Sequence, residues 1–135
     1  MATVFPDVEK LLVAIINDGL SASSDPVASG VTVSVKKPDA DTSPYPSKIV
    51  TVRSDGGNQM MRDITRMERI GVNVWANEYA DASSLAGLVD AILRQGASGS
   101  VKLVESVLSP TRIANEGTQE QRYMTFEVVV KAHDI

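Results

Sequence analysis

The sequence predicts an α+β protein in which a mainly antiparallel mixed sheet carries two helices on one face, in the order α-β-β-β-α-β-β. Residues 5–19 and 81–96 repeat apolar side chains at helical spacing, and several other segments alternate apolar and polar residues as strands do. Each helix has one apolar stripe, so we expect both stripes to pack against the same sheet. A length of 135 residues fits a single domain, 1–135.

The first helix is predicted over residues 5–19. Pro6 fits the first helical position, Asp7 and Glu9 lie near the positive end of the helix dipole, and Gly19 is expected to end the helix. The stripe that would face the sheet consists of Val8, Leu11, Leu12, Ile15 and Ile16.

Two strands are predicted next, at residues 31–36 and 48–53, where valine and isoleucine are frequent. The three prolines between them predict a surface connection over residues 37–47, with Tyr45 as its anchor. Residues 54–58 have the composition of a turn or bulge. A phosphate-binding loop is not expected here, because the lysine and the following helix that it requires are missing. The pattern beyond them favours neither helix nor strand over residues 59–66.

The central part of the chain predicts a strand that leads directly into the second helix. Residues 70–76 alternate apolar and polar side chains, as expected when one face of a sheet is buried. Asp81 is the predicted N-cap of the helix, and Gly96 is expected to end it in the left-handed conformation. The apolar stripe of this helix consists of Leu85, Leu88, Val89, Ile92 and Leu93.

The last two strands are predicted at residues 101–109 and 122–132, as antiparallel partners. The polar segment between them, residues 110–121, is long for a hairpin connection. Loops of that length in compact domains are usually functional or disordered.

The composition restricts the chemistry that the chain can perform. It has no cysteine and one histidine, which excludes disulfides and thiolate sites and leaves no cofactor or metal to expect. A net charge of −4 argues against a nucleic-acid-binding face. No apolar run approaches the roughly 20 residues of a membrane helix. We therefore expect a soluble protein. Because the sequence brings together no nucleophile, base and oxyanion donor, we also expect that it is not an enzyme.

Three methionines lie close together in the segment between the second and third strands: Met60, Met61 and Met67. Flexible, polarizable side chains of this kind can form an adaptable contact surface. They can equally pack against the sheet of their own domain, and the sequence leaves both interpretations open.

Several motifs together resemble one protein family. They are F-P-D-V-E-K-L-L from Phe5, I-V-T-V-R-S-D-G-G from Ile49, the run from Asp63 that ends in V-W-A, and R-Y-x-x-F-x-V-x-V from Arg122. In these motifs, from about Phe5 to Val130, the chain resembles the tail terminator proteins of long-tailed phages that infect actinobacteria.

The resemblance implies a structural virion protein at the end of the tail, assembled in the host cytoplasm. It implies a six-fold ring that caps the tail tube, stops its polymerisation and offers a surface to the head–tail connector. The implied partners are other copies of the chain, the tail tube protein and the connector protein, while DNA passes through without specific binding. Two other functions remain open, namely another neck component (a head-closure or head–tail joining protein) and a small ligand-binding domain.

A ring needs a heterologous interface, in which one patch of each subunit meets a different patch of the next. We expect the predicted loops at residues 37–47, 54–69 and 110–121 to supply it. The interface candidates on or beside these loops are Tyr45, Arg53, Met60, Met61, Arg62, Asp63, Arg66 and Arg112. Glu116 and Glu120 are candidates for the wall of the channel, because acidic groups repel DNA phosphates.

Overall fold

The computed structural model describes residues 2–62, 64–114 and 117–134. In chain order the elements are β1 (Thr3–Val4), α1 (Val8–Ala22), a short 3₁₀ turn (Pro26–Ala28), β2 (Thr32–Ser34), β3 (Lys48–Met61), β4 (Thr65–Ala76), α2 (Tyr79–Arg94), β5 (Val101–Ile113), β6 (Glu120–Lys131) and β7 (His133–Asp134).

Five of the strands form one sheet in the order β2-β3-β4-β6-β5. The short β2 runs parallel to β3, and every other neighbouring pair in this sheet is antiparallel. The predicted α+β class with a mainly antiparallel mixed sheet is therefore confirmed. The two short end strands, β1 and β7, form a separate antiparallel pair that the sequence did not predict.

The core lies between the sheet and the two helices. Val72 of β4 is in register with Val52 of β3 and with Met124 of β6, so these apolar side chains share one face of the sheet. Both helices contribute fully buried side chains to the same cluster, among them Leu12 and Leu85. The prediction that both apolar stripes cover the same face is confirmed.

The ends of α1 differ from the prediction. Asp7 is the N-cap and its carboxylate accepts a hydrogen bond from the Lys10 N–H at 3.2 Å, so Pro6 precedes the cap instead of occupying the first helical position. The helix continues through Gly19 to Ala22. A Cβ on Gly19 would lie 2.6 Å from the Ile92 side chain, so this glycine permits close packing of the two helices and does not end α1.

The N-cap of α2 and the conformation of Gly96 were also predicted wrongly, although the helix does end at Arg94, just before Gly96. The helix begins at Tyr79 after Glu78, whose side chain makes no capping hydrogen bond, and Asp81 lies within the first turn. Gly96 is not among the glycines with positive φ. A Cβ there would lie 2.8 Å from the Ile15 side chain, so Gly96 permits close approach to α1.

Two predicted loops are largely strand. β3 continues through residues 54–58 with a bulge at Ser54–Gly57, where Gly56 has φ +88°, so the bulge interpretation is confirmed and the loop at 54–69 is wrong. β5 and β6 likewise extend into the predicted loop at 110–121, since β5 ends at Ile113 and β6 begins at Glu120. In both places cross-strand hydrogen bonds hold polar residues in strands, although local composition favours a loop.

Candidate interaction surfaces

The first surface is the outer half of the β3–β4 hairpin, residues 54–68, which we call the arm. On the β3 side, β2 pairs only with Ile49 to Thr51 within the part of the chain that is described, so the outer edge of the arm has no neighbouring strand. On the β4 side, residues 65–68 pair with residues 128–131 of β6. The arm is therefore supported along one edge and free along the other.

Polar contacts fix the base of the arm to the body of the protein. The Glu9 carboxylate accepts a hydrogen bond from the Ser54 N–H at 2.8 Å, and the Ser54 hydroxyl donates to the Glu68 carboxylate at 3.1 Å. Glu68 is 8% exposed and its other oxygen lies 3.7 Å from the Arg66 guanidinium. That guanidinium stacks over the Phe5 ring at 4.2 Å, so Arg66 belongs to the base of the arm.

The tip of the arm exposes large apolar side chains. Met60 is 60% exposed, Met61 57% and Ile64 47%, whereas Met67 is half-buried. Of the two interpretations of the methionines, an external contact surface therefore fits Met60 and Met61, and packing against the protein's own sheet fits Met67.

The charged candidates near the arm occupy different positions. Arg62 lies at the tip, beside the exposed methionines. Arg53 precedes the bulge and its guanidinium donates to the Asp55 carboxylate at 3.0 Å. Asp63, another predicted interface residue, lies outside the described residues.

The second surface lies along β5, at the opposite edge of the sheet, and sequence reasoning missed it. We call Leu103, Glu105, Val107 and Leu108 the β5 surface; its three apolar members are 45%, 49% and 40% exposed, in chain order. One pattern in the sequence could have indicated this surface. The apolar residues between 101 and 108 fall on both faces of the strand, whereas the helices cover only one face of the sheet.

Tyr45 lines a cleft of about 500 Å³ together with Lys37, Trp75, Gln119 and other residues. The Tyr45 hydroxyl lies 3.5 Å from the Pro38 carbonyl oxygen, and the Lys37 ammonium lies 4.7 Å from the centre of the Trp75 ring. The Gln119 side-chain amide donates to the Pro46 carbonyl at 2.9 Å. These contacts hold the proline-rich connection beside the sheet.

Arg112 and Glu120 form an ion pair across the β5–β6 hairpin. The Arg112 guanidinium donates to the Glu120 carboxylate at 3.1 Å, and Arg122 approaches the same oxygen at 3.4 Å. Both guanidinium groups also lie over the Tyr79 ring, at 5.2 and 4.7 Å. The hydrogen bond from Arg112 lowers the pKa of Glu120, with the positive charges of both arginines acting in the same direction.

The predicted site residues therefore do not form one surface. Met60, Met61 and Arg62 lie at the tip of the arm, while Tyr45, Arg112 and Glu120 lie towards the opposite end of the strands. The channel candidate Glu120 has its charge compensated by two arginines. The other channel candidate, Glu116, lies outside the described residues.

Within residues 2–62, 64–114 and 117–134, no group of three or more histidine, cysteine or acidic side chains is placed to hold a metal ion. None of the helices described is both long enough and apolar enough to cross a membrane.

The fold is similar to that of a known virion component. A chain from the structure titled "Virion of native gene transfer agent (GTA) particle" matches with a TM-score of 0.65 and 15% sequence identity, over 89% of this chain and 94% of that chain. No protein-family profile matches the sequence. No curated protein matches it either. At this identity the likeness establishes a shared fold over almost the full length of both chains.

Proposed function

We propose that this protein is a structural component of a phage-like virion and that it forms a ring at the end of the tail tube, with the six-fold symmetry that the family resemblance implies. Two independent lines support this proposal. The sequence motifs resemble tail terminator proteins, and the fold is similar to that of a chain in a gene transfer agent virion. In this role the protein has no enzymatic activity.

The observation that carries the proposal is the arm, whose base is fixed and whose tip is apolar. Burial of the Glu68 carboxylate and its bond to Ser54 hold the base. Met60 and Met61 are about three-fifths exposed at the tip. Exposed apolar groups on a rigid support are typical of a surface that another protein covers, and unbranched methionine side chains adapt to such a contact.

A ring at the end of a tube stops the growth of the tube if one face of the ring binds the last tube subunits and the other face does not bind further tube subunits. The second face is then free to bind the head–tail connector. DNA passes through the channel without specific contacts, and Glu116 and Glu120 belong to its wall in this proposal. Replacing both glutamates by lysine would place positive charge beside DNA phosphates, and we expect slower DNA passage and lower infectivity.

The test uses electron microscopy of the purified protein mixed with tail tubes. We expect rings at one end of each tube and a halt in tube growth. The variant Met60→Ser with Met61→Ser should keep its stability within about 0.5 kcal/mol, because both side chains are exposed, and should form fewer rings. The matched control is Val35→Ser, which changes another exposed apolar residue, and it should assemble normally.

Two results would contradict the proposal. Binding to heads or portal complexes, with none to tubes, would identify another neck component instead. Normal capping by the double methionine variant would contradict the part of the proposal that gives the tip of the arm a role in assembly, and would leave the capping function standing.

A further inference from the structure

Two exposed apolar surfaces lie at opposite edges of the same sheet. The tip of the arm is at the β3 edge, and the β5 surface is at the β5 edge. A contact between two equal patches produces a closed two-fold dimer, whereas a contact between two different patches repeats from head to tail and can close into a ring. The positions of these surfaces fit the second kind of contact.

The charges of the two surfaces are complementary. Arg62 carries a positive charge at the tip, and residues 103–109 contain only the negative charge of Glu105. Opposite charges of this kind steer the approach of two proteins and fix how they align.

The electrostatic surroundings of Glu105 favour binding of a cationic side chain from another molecule. It stands in register with Glu127 on the neighbouring strand, and like charges directly opposite each other destabilise a sheet. The Glu127 carboxylate is held by the Arg69 guanidinium at 2.8 Å. No ion pair to Glu105 is present among the residues described, so this carboxylate lacks the compensation that Glu127 has.

The edges themselves are poorly suited to direct strand pairing. β5 has three shifts of register and contains Pro110, which has no N–H to donate, and the free edge of β3 has two shifts. Irregularities of this kind protect edge strands from forming ladders with other chains. A contact between these edges would therefore be made by side chains.

We propose that the tip of the arm of one copy seats on the β5 surface of the next copy. In this contact Met60 and Met61 cover Leu103 and Leu108, and Arg62 pairs with Glu105. This inference rests on the proposed function, because it names the contact from which the ring is built.

The absence of cysteine from the chain allows a direct test by disulfide cross-linking. Met61→Cys and Leu108→Cys are combined in one chain, which is concentrated, oxidised and separated without reducing agent. A head-to-tail contact should produce a ladder of two, three and more linked copies. Each single cysteine variant, as the matched control, can produce dimers at most.

The outcomes separate the contact from the ring. Rings in electron micrographs without a ladder would overturn the contact and leave the proposed function standing. A ladder with open chains and no rings would support the contact and contradict the ring. Dimers from the Met61→Cys variant as abundant as those from the double variant would show a tip-to-tip contact. A failure to form any multimer or ring, both alone and with tail tubes, would overturn both proposals.

A charge exchange tests the ion pair separately. Glu105→Arg alone and Arg62→Glu alone should each reduce cross-linking roughly tenfold, because each places like charges together. The two substitutions in one chain should restore it. If the combined variant stays as defective as the single variants, Arg62 and Glu105 are not partners.

Discussion

The strands β3 and β4 each contain two regions held together by different forces. Beneath the helices, Val52 and Val72 stand opposite each other and are fully buried. A few residues further along the same two strands, in the arm, the side chains are mostly polar and exposed, and the contacts that hold the base are hydrogen bonds and ion pairs. The comparison shows that this sheet combines a part that stabilises the fold with a part that is free to bind another molecule.

The largest effect on stability should come from the buried region. Phe126→Ala removes a fully buried ring from the cluster between sheet and helices, and the lost burial and the cavity should cost about 3–5 kcal/mol in the free energy of unfolding. Urea denaturation measures this cost. The control Leu108→Ala changes an exposed apolar residue and should cost about 0.5 kcal/mol or less. Similar losses for both variants would contradict the assignment of the core.

The next effect concerns the packing of the helices. A Cβ on Gly19 would lie within 3 Å of three atoms of the Ile92 side chain, so Gly19→Ala should destabilise by about 1–3 kcal/mol. Gly87→Ala is the matched control, because this helical glycine has open space around its Cβ position. It should stabilise by about 0.5–1 kcal/mol through helix propensity. The midpoint temperature of thermal unfolding should fall for Gly19→Ala and rise for Gly87→Ala. Equal shifts of the two midpoints would contradict the close contact at Gly19.

A smaller effect should arise at the base of the arm. Glu9→Ala removes the charged acceptor of the Ser54 N–H and should cost about 1–2 kcal/mol. Amide hydrogen exchange at Ser54 should become faster. Glu9→Gln keeps an acceptor oxygen and should retain part of the protection, while Asp18→Ala, on the exposed side of the same helix, should leave it unchanged. Unchanged protection in Glu9→Ala would show that the bond does not fix the arm.

The smallest effect is expected at Glu120, whose folded-state pKa is lowered by Arg112 and Arg122. A lowered pKa gives a stabilisation that is complete above the ordinary pKa of a glutamate and is lost as the pH falls through the lowered value. The wild type should therefore exceed Glu120→Gln slightly in stability at neutral pH, and the difference should disappear in acid. A difference that grows on acidification would contradict the sign of the shift.

The successes and failures of the sequence-based prediction follow the same division. The apolar stripes of both helices and the alternation in residues 70–76 identified the core, because burial of one face imposes a period on the sequence. The ends of the helices and the lengths of the strands were wrong where distant contacts decided them. Gly19 and Gly96 suggest helix ends locally, yet each makes room for a side chain of the opposite helix.

The candidate interaction residues were predictable only in part. The cluster of methionines was visible in the sequence, but the exposure of Met60 and Met61 and the half-burial of Met67 depend on where the hairpin lies. The β5 surface was missed, because an apolar strand residue gives no local sign of which face the helices leave uncovered. The pairing of Arg112 with Glu120 likewise arises from the register of a hairpin.

By itself the sequence determined the fold class, the order of the main elements and the apolar faces, since these follow from the spacing of side chains along the chain. Only the tertiary structure decided which edges of the sheet stay open, how the arm is fixed at its base and which charges find partners. Those properties depend on contacts between residues that are far apart in the chain, and short-range patterns carry no record of them.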